Sequence, residues 1–122
     1  MKKVFLIIIS LFFAIPVFAG QYEDALRSGE PVFLYMYVKN CKYCKEFNPI
    51  YEKTFNNYKG SFRFVKVDAD SPYGTLLMRD LRAYYVPLVI LADSKRQYMM
   101  SVLPDCLIDN ACLEKELKGF LK

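Results

Sequence analysis

Two cysteines, Cys41 and Cys44, lie three positions apart directly after an apolar run. Residues at i and i+3 of a helix start reach the Cα separation a disulfide needs, about 4.4–6.8 Å. Such a pair can open and reclose, which is the chemistry of thiol–disulfide exchange. Cys41 would sit at or before the first helical turn with its sulfur exposed, and Cys44 one turn inside. The free N–H groups and partial positive charge of the helix start favour thiolate over thiol at Cys41. Lys39, Lys42 and Lys45 add positive potential close by.

Two further cysteines, Cys106 and Cys112, are separated by five residues. Four cysteines pair in three ways, and the C-x-x-C spacing singles out one pair. Cys106–Cys112 reads as a structural disulfide between the loop after the last strand and the final helix, worth about 2 kcal/mol for so short a loop. The alternative is a second redox pair that relays electrons. A metal site is not favoured: C-x2-C followed by C-x5-C departs from the usual zinc spacing, and the chain has no His. That absence also excludes a His-based triad, and no phosphate loop, dinucleotide fingerprint or other cofactor motif appears.

The N-terminus places these cysteines. Met1-Lys2-Lys3 precedes an apolar run from Val4 to Ala19, ending in small residues. This is the layout of a secretory signal peptide. A membrane-spanning helix needs about 20 apolar residues, so the run is short for an anchor. Residues 1–19 are therefore expected to be cleaved, leaving one domain of residues 20–122 that is periplasmic or secreted and not membrane-bound. Loss of Lys2 and Lys3 takes the formal charge from +4 to +2. So mild an excess points to no nucleic-acid or anionic-membrane partner.

The elements that must position the cysteines are legible. Tyr22–Arg27 reads as a short helix. Val32–Val38 is continuously apolar and reads as a strand buried on both faces. From Cys41 a helix carries Cys44, Phe47, Ile50, Tyr51 and Phe55 on an inner face, with Pro49 as a kink. Asn56–Gly60 reads as a loop and Phe62–Val67 as a strand, followed by a turn at Asp68–Pro72. Tyr73–Ala83 reads as a helix. Val86–Ala92 and Gln97–Leu103 read as a strand hairpin, and Leu113, Leu117, Phe120 and Leu121 mark a last amphipathic helix. The order α-βαβ-α-ββ-α is an α/β arrangement with helices flanking a central mixed sheet.

With these residues, the chain resembles the thioredoxin superfamily over most of residues 20–122. Cys41-Lys-Tyr-Cys44 is similar to the family's redox motif, and Lys45 follows it as Lys often does there. Pro49 falls at the helix-kinking proline, and Val65-Lys-Val-Asp-Ala-Asp70 resembles the central strand and its turn. Val86-Pro87 resembles the bond to the family's cis-proline. Cys44-Lys-Glu-Phe47 also looks like the C-terminal domain of the membrane disulfide reductase that feeds the bacterial periplasm. The resemblance implies a thioredoxin-like fold and a thiol:disulfide oxidoreductase without cofactor. Its partners would be protein disulfide or dithiol substrates and a redox partner that recharges the site.

By the same resemblance, Cys41 attacks and Cys44 resolves, Val86 offers backbone hydrogen bonds to substrate, and a cis Pro87 faces the cysteines. Tyr43, with Tyr84 and Tyr85, would form an apolar rim for extended substrates. The chain departs from the family pattern in starting at a helix, in having Asn40 where Trp precedes the first cysteine, and in having Tyr35 where a buried Asp assists proton transfer. Lys66 matches the lysine that accompanies that Asp. Reduction, oxidation and isomerisation of disulfides all fit such a site, as does a binding module with two structural disulfides.

Overall fold

A computed structural model describes residues 20–122. The expected signal peptide, residues 1–19, lies outside the described residues. The elements are α1 (Gln21–Arg27), β1 (Val32–Tyr37), α2 (Lys42–Tyr58), β2 (Arg63–Asp68), α3 (Pro72–Asp80), β3 (Leu88–Asp93), β4 (Tyr98–Ser101), a 3-10 turn (Pro104–Leu107) and α4 (Asn110–Leu121). The sheet order is β2-β1-β3-β4. β1 pairs parallel with β2 and antiparallel with β3, and β3 pairs antiparallel with β4. This is the expected helix-flanked mixed sheet.

Both faces of β1 are covered, which explains its unbroken apolar run. Phe33 and Tyr35 point into a core shared with Phe47 and Tyr51 of α2 and with Leu113, Leu117 and Phe120 of α4. Val32, Leu34 and Met36 point to the opposite core, with Tyr22 and Ala25 of α1 and Leu77 of α3. The period of two along β1 thus divides its side chains between two helix layers. In α2, Cys44, Phe47, Tyr51 and Thr54 form the buried stripe, and the helix runs through Pro49. Pro49 itself is exposed, so the backbone carbonyl that loses its helical donor is on the side open to water.

Element ends differ from the sequence expectation in ways with local causes. α2 continues through Asn56 and Asn57 to Tyr58, whose ring packs on Phe62 at a centroid distance of 6.4 Å. α3 stops at Asp80, short of Ala83, because Arg82 adopts a left-handed φ of 55°. The N–H groups of Arg82 and Ala83 then bond to the carbonyls of Arg79 and Met78. That is a Schellman ending without the glycine that usually announces it. β3 begins at Leu88, after the cis Val86–Pro87 bond, and β4 is confined to Tyr98–Ser101. The Pro104–Leu107 turn was not anticipated.

Candidate functional site

β1 ends at Tyr37 and delivers the chain to the start of α2. Cys41 is the N-cap residue, extended at φ −113° and ψ 115°, and its Sγ accepts the Cys44 N–H at 3.0 Å. At the two later helices the same position is held by oxygen: Ser71 Oγ accepts the Gly74 N–H ahead of α3, and Asp109 Oδ1 accepts the Ala111 and Cys112 N–H groups ahead of α4. A sulfur therefore does at α2 what an N-cap oxygen ordinarily does. Cys41 and Cys44 are joined as a disulfide with a Cα separation of 5.2 Å. Cys44 is 2% exposed, whereas Cys41 is only partly covered. A donor aimed at Cys41 Sγ interacts more strongly with a thiolate than with a neutral sulfur, so this geometry stabilises the reduced, ionised form.

Beneath the pair lies Tyr35, fully buried, in the place of the carboxylate expected from the family pattern. Its hydroxyl donates to Asn48 Oδ1 at 2.9 Å and lies 3.3 Å from the Cys44 carbonyl oxygen. A phenol has one proton, so the shorter contact takes it and the carbonyl is the weaker second acceptor. Burial, then the neighbouring Tyr51 and Tyr37, push the Tyr35 hydroxyl up to about 12. Lys66 Nζ lies 5.7, 5.1 and 5.5 Å from the ring centroids of Tyr35, Tyr37 and Tyr51. The ammonium is thus held against aromatic faces rather than paired with a buried acid. Lys66 could be placed from the sequence, but Asn48 as the partner of Tyr35 could not, because nothing in its spacing distinguishes it from a solvated helix residue.

The register Met36↔Leu88 brings the start of β3 to the same end of the sheet as Cys41. Val86 and the cis Pro87 line one cavity of about 240 Å³ with Tyr43 and Tyr85. Tyr43 is 61% exposed at its mouth. Tyr84 is 90% exposed and touches Tyr85, with ring centroids 5.6 Å apart, but it does not line the cavity. The opposite wall is Pro104, Asp105, Leu107 and Ile108, which sequence reasoning did not connect with the site. Cys106 and Cys112 are bonded behind that wall with a Cα separation of 4.9 Å. Glu46 is solvent-exposed, and Asp68 Oδ1 accepts the Asp70 N–H at 2.8 Å as a turn former.

A mixed sheet with a C-x-x-C pair capping its long helix defines a thiol–disulfide oxidoreductase. The model of the thioredoxin family matches residues 14–102, and the chain belongs to that family. No curated protein sequence matches the chain. Among solved structures, it is similar to the J-Trx1 fragment of ERdj5, with TM-score 0.71 and 18% identity, covering 83% of this chain and 46% of that one. The chain thus spans about half the length of that fragment. Thioredoxin from Trypanosoma brucei brucei has TM-score 0.65 and 21% identity, covering 84% of this chain and 88% of that one. A thioredoxin from Thermus thermophilus has TM-score 0.66 and 21% identity, covering 81% and 79%. At these identities the likeness is one of fold.

The buried phenols predict an alkaline limit to stability. Tyr35, Tyr51 and Tyr73 are each pushed up to about 12, chiefly by burial. Below about pH 10 these groups are neutral in both folded and unfolded chains, and their contribution is fully present. As pH rises from about 10 toward 12, the unfolded chain ionises first and stability falls. Urea unfolding followed against pH should show that fall. Tyr35→Phe should make it shallower while costing about 1 kcal/mol at neutral pH for the lost hydrogen bond. An unchanged alkaline slope in the variant would contradict the placement of Tyr35.

Proposed function

We propose that the protein is an exported oxidoreductase that reduces protein disulfides, with Cys41 as the attacking sulfur and Cys44 as the resolving one. The observation that carries this reading is the unequal setting of the two sulfurs. Cys41 is accessible and receives a backbone N–H, while Cys44 is enclosed. In the first step the Cys41 thiolate forms a bond to one substrate sulfur, the substrate S–S bond breaks, and the other substrate sulfur leaves with the electron pair. Cys44, having given its proton to solvent, then attacks Cys41 and expels the first substrate sulfur. Two electrons pass to the substrate, whose sulfurs take up two protons, and Cys41–Cys44 closes. A dithiol partner must reopen it.

Val86 and Pro87 are assigned to substrate contact because they line the same cavity as Tyr43, which lies inside the redox motif. The charged start and apolar run of residues 1–19 support export, and a Cys106–Cys112 disulfide suits an oxidising compartment. The likeness of Cys44–Phe47 to a periplasmic reductant supports reduction. A second reading, disulfide oxidation, is favoured by the N–H on Cys41 Sγ and by Lys39, Lys42 and Lys45. These stabilise the thiolate and so raise the potential, although the lysines are exposed and screened by salt.

One measurement tests the role of Cys41 and a second separates the two directions. Cys44→Ala should accumulate mixed disulfides with substrate proteins on Cys41, and the same change combined with Cys41→Ala should abolish them. Adducts that persist in the double variant would remove Cys41 from its role. The Cys41–Cys44 potential should lie well below about −120 mV, the value of a dedicated oxidant. A potential near that value would replace reduction with oxidation.

A further inference from the structure

The cavity beside the redox pair has one wall that the exchange chemistry does not require. Pro104, Asp105, Leu107 and Ile108 face Tyr43, Tyr85, Val86 and Pro87 across about 240 Å³. This is smaller than the roughly 300–1,000 Å³ of small-molecule sites. Its lining is mostly apolar, with Asp105 the one carboxylate, and Tyr43, which lines it, stands between Cys41 and Cys44 in the chain. A polypeptide crossing the redox pair would carry its side chains past this cavity, and the space suits one large apolar side chain.

The wall is built so that its two halves face different ways. Cys106 and Leu107 are 4% and 2% exposed and belong to the core with Leu113 and Leu117. Ile108 and Leu103 stand outward at 66% and 69%. Ile108 therefore adds little to the core and leaves its side chain free to meet a ligand at the cavity it lines. Two devices hold the turn: the Cys106–Cys112 bond, and Asp109, which caps α4 one residue beyond Ile108. A disulfide across so short a loop restrains the unfolded chain less than a long-range one does. It also ties the residue between Asp105 and Leu107, both of which line the cavity, to the start of α4.

Resting on the reductase reading above, we infer that the Cys106–Cys112 disulfide is a positioning brace for a specificity wall, and that Ile108 and Leu107 on this wall select protein disulfides with a bulky apolar residue beside the reacting cysteine.

The test uses the purified protein, reduced at Cys41–Cys44, with disulfide-linked dimers of two short peptides that have Leu or Ser next to the cysteine. Cystamine, which has no such side chain, serves as a third substrate for the unaltered protein. The unaltered protein should show a KM for the Leu peptide about tenfold lower than for the Ser peptide, the order expected for one apolar pocket contact. Ile108→Ser should lose that preference through KM, with the Cys41–Cys44 potential unmoved. Cys106→Ala combined with Cys112→Ala should do the same. Equal KM values in the unaltered protein, or a preference retained in Ile108→Ser, would overturn the wall. A retained preference in the folded double cysteine variant would overturn the brace. If that variant does not fold, the disulfide serves the fold rather than the wall and the brace is overturned, while Ile108→Ser, whose side chain is outside the core, still decides the wall. Failure of the unaltered protein on all three substrates, cystamine included, would overturn the reductase reading itself and the inference with it.

Discussion

The site depends on one hydrogen bond, from the Cys44 N–H to Cys41 Sγ. It ends the extended segment after β1, starts α2, and sets the two sulfurs in different surroundings. A side-chain acceptor at the N-cap stabilises a helix start, and here it is the sulfur to which the attacking role is assigned above. Under the proposed function, capping and activation are one interaction. The rest of the fold keeps this helix start in place: Phe47 and Tyr51 lock α2 onto Phe33 and Tyr35 of the central strand, and β3 brings Val86 and Pro87 to the same end of the sheet.

The interior beneath the pair is unusual in its chemistry. A buried carboxylate there would supply a titrating group near the resolving cysteine. Tyr35 instead supplies a hydroxyl that stays neutral until well above the physiological range and ties Cys44 and Asn48 together. Lys66, against three tyrosine rings, keeps a positive charge near the site without a buried counter-charge. In this arrangement the groups set against the pair are hydrogen bonds and an aromatic-held cation rather than a buried carboxylate.

Much of this was legible in the sequence because the signals were periodic or local. The unbroken Val32–Val38 run announced a strand covered on both faces, and Cys44, Phe47 and Tyr51 announced the inner face of α2. Cys41, Cys44 and Val86-Pro87 stood out as motifs. What could not be read has physical reasons. The end of α3 at Asp80 rests on a left-handed Arg82, which carries no glycine signal. The extension of α2 to Tyr58 goes with a ring contact and a backbone hydrogen bond to Phe62, just past the helix end, that offset two asparagines. The Pro104–Ile108 wall is non-periodic, and its link to Tyr43 exists only in three dimensions.

The claim that capping and activation are one interaction is tested most directly by the pH dependence of alkylation in the reduced protein. Cys41 should react far faster than Cys44, with a midpoint below the value of about 8.5 for a free cysteine. A Cys41 that reacts no faster than Cys44, or whose midpoint lies at or above about 8.5, would contradict it.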